Sequence, residues 1–409
     1  MPDRTILVTA LQGAGWHPAA WRADPAAARD TTRLAHWRRV VVEQDRAGID
    51  AVTLEDAFTA GPVDADGDLD TRTVVGRLDA LLVASAVAPA TRSVGLVPTV
   101  SVTHTEPFHV ATGLQTLDHV SAGRAGWRLQ VSPTTREAAL FGRRPGGDDP
   151  ATLAAEAREV AEVVSRLWDS WDDDAIIRDV ATGRFVDRDR IHGARFVGEH
   201  VSVHGASIVP RSPQGRPPVF ALAHDDDAAR LAVDTADVVL VTPGASGPPA
   251  GVGGVGGVGG VGLEARGAVA RVRHAEQAAG SDTVRPVLAD LAVLLGSSVA
   301  EAEDELAALD AASGSPYAAA SDAAVLATTA TDLVDRIADL RAIGYAGVRL
   351  RPLRTPADST AVARQLVPAL VTAGLRADPP SRPTVDLRTR LGIAPAVSRY
   401  AVPTQGVSS

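Results

Sequence analysis

Between Gly95 and Ser132 the chain reads GLVPTVSVTHTEPFHVATGLQTLDHVSAGRAGWRLQVS, two apolar runs with hydroxyl, imidazole and guanidinium groups at their ends. Thr99, Ser101, Thr103 and His104 close the first run; Arg128, Gln130 and Ser132 lie along or just past the second. The pattern recurs along the chain: Glu55 and Asp56 end the run from Ile49, His224 and Asp225 follow the run from Pro217, and His17 follows the run from Ile6. Such groups, gathered at strand ends, can move protons or hold a polar ligand. Imidazoles titrate near neutrality, and a guanidinium is a permanent cation with a planar fork of donors. Each also has a structural role open to it. Asp56 suits a cap, Asp225 to Asp227 suit the acidic first turn of a helix, the threonines suit strands, and the histidines suit hydrogen-bonded loops.

Other chemistries are excluded or unsupported. With no cysteine there is no disulfide, thiolate metal site or cysteine nucleophile. No P-loop, HExxH, GxSxG or EF-hand loop is present, and His192, His200 and His204 do not form a metal set. A net charge of −10 without a basic stripe argues against nucleic acid. No apolar run approaches the ~20 residues that span a bilayer. The N-terminal MPDRTILVTAL has no cleavage-site pattern, so a cytoplasmic protein is expected.

The elements that must position these residues alternate. β-rich runs begin at Ile6, Ile49, Ser93, Arg124, Pro217, Ala236, Arg285 and Ala346, mostly separated by helix-like stretches such as Thr32 to Gly48 and Arg77 to Ala88. A further helix is expected to start with Thr105 as N-cap and Pro107 in its first turn. The alternation predicts the α/β class and a (β/α)8 TIM barrel, whose chemistry sits where strands end and loops begin. One barrel domain is expected over 1–376. It carries an insertion of short hairpins over about 171–216, beside the mouth, between the fourth and fifth strands. A flexible Gly-Val loop (GVGGVGGVGGVG, about 243–262) follows the sixth strand, and a Pro-rich tail covers 377–409.

Several motifs carry a resemblance: GWHPAAWR at Gly15, GIDAVTLED at Gly48, the long stretch from Gly95, LWDSWDDDA at Leu167, PRSPQGRPPVF at Pro210, LVPAL at Leu366 and LRTRLG at Leu387. Together they resemble the bacterial luciferase-like flavin monooxygenases, in the branch of nitrilotriacetate and dibenzothiophene-sulfone monooxygenases. The resemblance implies a barrel that takes reduced FMN from a separate NAD(P)H:flavin reductase and oxygenates a small organic substrate, commonly as a homo-oligomer (dimer or tetramer). It implies flavin-binding roles for Asp56, Thr99, Thr103 and Ser132, a phosphate site at His224 and Asp225, and substrate-side roles for His17 and His104. Arg128 stands where the family has Asn and could grip an anionic substrate. Thr112 replaces an Arg and Ala154 a Tyr, and Ala223-His224-Asp225-Asp226 replaces the family's AGSS at the phosphate. An alternative therefore stands beside the enzyme: a flavin-free barrel acting as a non-catalytic partner subunit.

Overall fold

The computed structural model of the chain describes residues 4–62, 68–243, 263–377 and 385–401. The Gly-Val repeat (251–262) and the last residues of the tail (402–409) lie outside these. Eight parallel strands close on themselves: β1 (Ile6–Leu11), β2 (Ala51–Leu54), β3 (Gly95–Ser101), β4 (Trp127–Gln130), β5 (Val219–Leu222), β6 (Val238–Val241), β7 (Val287–Leu295) and β8 (Gly347–Pro352). The ring closes where β1 pairs with β8, Ile6 opposite Gly347 and Thr9 opposite Leu350. These strands are almost entirely buried because both faces are covered, which is why they read as continuous β-branched and aliphatic runs. All eight β-rich runs of the sequence become barrel strands. A ninth strand, Ala324–Thr328, was not anticipated; it pairs with the upper half of β7 outside the ring.

Helices pack around the sheet, among them Leu34–Ala47, Ala80–Val87, Pro107–Ser121, Pro150–Trp168, Asp226–Thr235 and Ala330–Ala342. The helix from Pro107 has Pro at its first turn as anticipated, but its N-cap is Glu106, not Thr105, and no side chain caps it. Trp127 and Trp168 meet edge to face at 6.2 Å, and their indole N–H groups donate to the carbonyls of Val100 and Ala111. Tryptophan is therefore a packing residue at both positions, with its one polar atom satisfied.

The insertion forms two hairpins, Ile176–Asp179 with Arg184–Val186 and Phe196–Val197 with Ser202–Val203. It lies at the N-terminal end of the barrel, not beside the mouth. Ser207 donates to Gln115, His119 meets the Pro210 carbonyl at the C-terminal end of helix Pro107–Ser121, and Gln214 holds Asp118. The cause is topological: a segment between a helix and the next strand must sit where strands begin. The tail closes the same end. Leu387 and Leu391, on and just after the short helix Leu387–Arg390, pack with the inward side chains Ile6, Val8, Ala51, Val97 and Phe220. Gly95 and Gly126 make room for it: a Cβ on Gly95 would lie 2.5 Å from Leu387 Cδ1. A groove of about 680 Å³ also opens here, lined by Glu162, Arg216, Asp237, Arg285, Arg388 and Arg399 among others, every one of which is ion-paired.

Candidate active site at the barrel mouth

Side chains two apart on a strand share a face, so each barrel strand sends a column of residues into the interior. The lower layers are aliphatic. Higher up the columns turn polar: Thr53 and Glu55 in and just after β2, Thr99 on β3, Arg128 and Gln130 on β4, Asp290 on β7, Arg349 and Arg351 on β8. Arg349 donates to Asp290 at 2.6 Å and to Thr53 Oγ1 at 3.1 Å, and pairs with Glu55. Arg128 lies 3.1 Å from Glu55 and donates to Gln130 Oε1 at 2.8 Å and Thr99 Oγ1 at 3.3 Å. Arg351 meets both oxygens of Asp290, at 3.0 and 2.6 Å, and reaches Asp322 from the loop before Ala324–Thr328. Trp16, in the loop after β1, lies over this pair of arginines, its ring 4.6 Å from the Arg351 guanidinium and 5.7 Å from that of Arg349.

Three guanidinium groups thus face three carboxylates in a closed network. Charges out of water are tolerated only when paired this completely. Burial alone would raise Glu55 and Asp290, yet the arginines hold both carboxyls below their usual range. Burial pulls Arg128 down, and Glu55 opposes that pull. The network is the polar floor of the mouth. Within it Arg128 Nε is buried and has no hydrogen-bond partner.

The remaining candidates stand on the rim. Thr103 Oγ1 accepts the Ser132 N–H at 3.0 Å, and Ser132 Oγ lies 2.9 Å from Ser101 Oγ, a knot of hydroxyls tying the ends of β3 and β4. Asp56 accepts the N–H groups of Ala57 at 2.8 Å and Ala80 at 2.9 Å, which fixes the loop after β2 to the start of helix Ala80–Val87. Burial raises its carboxyl, only partly countered by those N–H groups. His17 is fully buried; its Nδ1 accepts the Ala19 N–H at 3.1 Å, so Nε2 carries the hydrogen donated to Asp310 at 3.0 Å. Burial lowers its pKa, against the pull of Asp310. His104 sits at φ 68°, in the left-handed region that disfavours a side chain. Its ring stacks on Phe141 at 5.1 Å, Phe58 meets Phe141 edge-on at 4.7 Å, and His104 Nε2 is buried without a partner.

After β5 the chain turns into helix Asp226–Thr235. Asp225 is its N-cap, accepting the Ala228 N–H at 2.7 Å, and exposed His224 lies 3.2 Å from that carboxylate. Asp226 pairs with Arg271 at 2.9 Å and Asp227 with Arg230. The structure therefore brings Thr99 together with Arg128, and Thr103 together with Ser132. It commits Asp56 and Asp225 to helix starts, and leaves His224 exposed.

Arg349, Arg351, Asp290, Asp322 and Trp16 are not among the candidates read from the sequence. A signal exists: Asp290 and the Arg349/Arg351 pair interrupt apolar strand runs at a spacing of two, which puts charge on the enclosed face.

Residues 14–348 match the luciferase-like monooxygenase family. The chain belongs to that family. Among relatives of this luciferase-like chain, N-acetyl-S-(2-succino)cysteine monooxygenase of Bacillus subtilis is 34% identical over 229 residues, 56% of this chain and 50% of the relative. Nitrilotriacetate monooxygenase component A of Aminobacter aminovorans is 33% identical, covering 56% of this chain and 52% of the relative. The chain thus spans about half the length of these relatives. Solved luciferase-like structures share the fold over nearly the whole chain: EDTA monooxygenase (EmoA) from Chelativorans sp. BNC1 has a TM-score of 0.78 at 21% identity over 96% of this chain and 99% of that one. Long-chain alkane monooxygenase (LadA) has a TM-score of 0.81 at 20% identity, covering 96% of each chain.

A flavin, the cofactor of luciferase-like monooxygenases, meets two different environments here. At the floor and rim, two buried nitrogens, Arg128 Nε and His104 Nε2, have no partner within the protein, and each is free to serve a polar edge of a ring. At the turn after β5 a phosphate does not fit. The Asp225 carboxylate already takes the Ala228 N–H that a phosphate oxygen would use, and a group carrying nearly two negative charges would meet that carboxylate, while the two arginines beside the turn are already taken by Asp226 and Asp227.

Proposed function

We propose that this chain is the oxygenase component of a two-component monooxygenase, binding reduced flavin and a small organic substrate at the barrel mouth. The family match over residues 14–348 carries the reading. When bound, reduced flavin would supply the two electrons by which one atom of O2 enters the substrate and the other leaves as water. The chain's own residues bind and orient. Arg128, fixed by Glu55, Thr99 and Gln130, offers Nε to an acceptor on the ligand. His104 and Phe141 wall one side, and the hydroxyl knot keeps β3 and β4 in register beneath it. FMN as the particular flavin, a separate NAD(P)H:flavin reductase, a dimer or tetramer, and a cytoplasmic setting belong to the same proposal. No helix among the described residues is long and apolar enough to cross a membrane.

The N-cap role of Asp225 favours a second reading, a barrel that has given up flavin and serves as a partner subunit. Titrating the protein anaerobically with reduced FMN and reduced riboflavin separates the two. The oxygenase binds both in the micromolar range, with FMN holding no advantage because its phosphate is not gripped. Replacing Asp225 and Asp226 by Ser keeps a capping hydroxyl, removes the Asp225 carboxylate, frees Arg271 from Asp226, and makes FMN bind more tightly than riboflavin. No binding of either flavin at ~1 mM, about 4 kcal/mol of affinity, leaves the partner-subunit reading.

A further inference from the structure

Arg351 differs from the other arginines of the floor in the kind of partner it holds. Its inner edge meets Asp290, which is wholly buried and shared with Arg349. Its outer edge meets Asp322, whose side chain is 54% exposed while that of Arg351 is 3% exposed. A buried cation therefore depends, on its solvent side, on a carboxylate that solvent already reaches. Asp322 comes from an irregular loop, not from the barrel. The loop's backbone is held without it: Asp310 accepts the Tyr317 N–H at 2.7 Å, and Ser321 Oγ both accepts from and donates to Ala323. Trp16 covers a guanidinium face, and the edge toward solvent is the one that Asp322 occupies.

We propose that the outer edge of Arg351 is the anchor for a carboxylate of the substrate, and that Asp322 is a placeholder displaced when that acid binds. Exchange of one carboxylate for another keeps a negative partner on the outer edge of the buried Arg351 guanidinium. It also preserves the planar, two-pronged geometry that a guanidinium edge offers a carboxylate and a lysine could not. The substrate class is then a small organic acid, with the anchored end at β8 and the rest of the molecule over the mouth. The inference rests on the oxygenase reading only in calling this ligand a substrate.

The test uses the full chain without flavin, so its outcome is separate from that of the flavin titration. Succinate is the probe, dimethyl succinate its neutral counterpart and inorganic phosphate the competing anion, each measured by calorimetry on wild type and Asp322→Ala. Removing the placeholder is expected to tighten succinate binding by about two- to fivefold, since a half-exposed carboxylate competes only weakly. Dimethyl succinate is expected to stay unbound. Succinate should also change tryptophan emission in Asp322→Ala and not in Asp322→Ala with Trp16→Phe, which locates the ligand beside Arg351 without disturbing that residue. Unchanged or weaker succinate binding in Asp322→Ala overturns the proposal. So does equal binding of the ester, phosphate binding more tightly than succinate, or an emission change that survives Trp16→Phe.

Discussion

Arg349 ties three strands of the barrel together. It joins β8 to β7 through Asp290 and to β2 through Thr53 and Glu55, with no exposed surface of its own. Replacing it with Met fills the space but leaves two carboxylates short of a partner. Breaking a buried pair from one side costs ~3–5 kcal/mol, so Arg349→Met should lose that much in urea unfolding. A loss under ~1 kcal/mol, the scale of an exposed pair, would mean that water reaches the floor freely. The residue scale is also where the sequence was least legible. Thr99, Thr103, Ser132 and Arg128 can be picked out because they stand at strand ends in a polar stretch. Their partners cannot: Arg128 finds Glu55 past the intervening β3 and Arg349 finds Asp290 on the neighbouring β7, and separations of 73 and 59 positions leave no local trace. Asp56 and Asp225 look alike in sequence, as acids after strands, and both prove to hold helix starts by accepting backbone N–H groups.

At the scale of elements, strands and helices are legible where their burial is continuous. β1, β3, β7 and β8 announce themselves as long aliphatic runs. The strand Ala324–Thr328 does not, because AVLAT lies on the outside of the ring, only half buried, and reads equally as a loop. The insertion's hairpins are legible from their turns, whereas their place at the lower end follows from chain order. The tail illustrates an element defined by its fit. Leu387 fills the lower end of the barrel against Gly95 and Gly126. Leu387→Ala should cost ~2–5 kcal/mol through the cavity it leaves, and Gly95→Ala should destabilise through the clash with Leu387. Combined, the pair should cost less than the sum, since the smaller side chain relieves the clash. Additive losses in a double-mutant cycle would show that the tail does not occupy the barrel in solution.

For the molecule as a whole, the charge arrangement sets a direction of pH sensitivity. Burial lowers the pKa of His17, His36 and His104 from 6.5. The unfolded chain therefore takes up protons at these sites before the folded one does, and stability falls as pH drops below about 6.5 toward the folded values. A second loss follows at lower pH. Glu55, Asp290, Asp50 and Asp169 are held below their ordinary values by arginines, so their contribution, complete above the usual carboxylate range, disappears as pH falls through the folded pKa values. Urea midpoints from pH 8 to 5 should decline for wild type, and less steeply for His17→Gln, which can keep both hydrogen bonds without titrating. A slope unchanged by the substitution would place His17 outside the titrating set.

The seal at the lower end has a bearing on how the polypeptide comes to be made. Strands β1 to β8 are all synthesised before Leu387, so a growing chain emerging from the ribosome can wind its cylinder and still have its base open to water. Only once Leu387 and Leu391 have been made can they slide in and dry the interior. The base is therefore corked after the walls are made, and a polypeptide cut short before Leu387 would be a vessel with the right walls and no bottom.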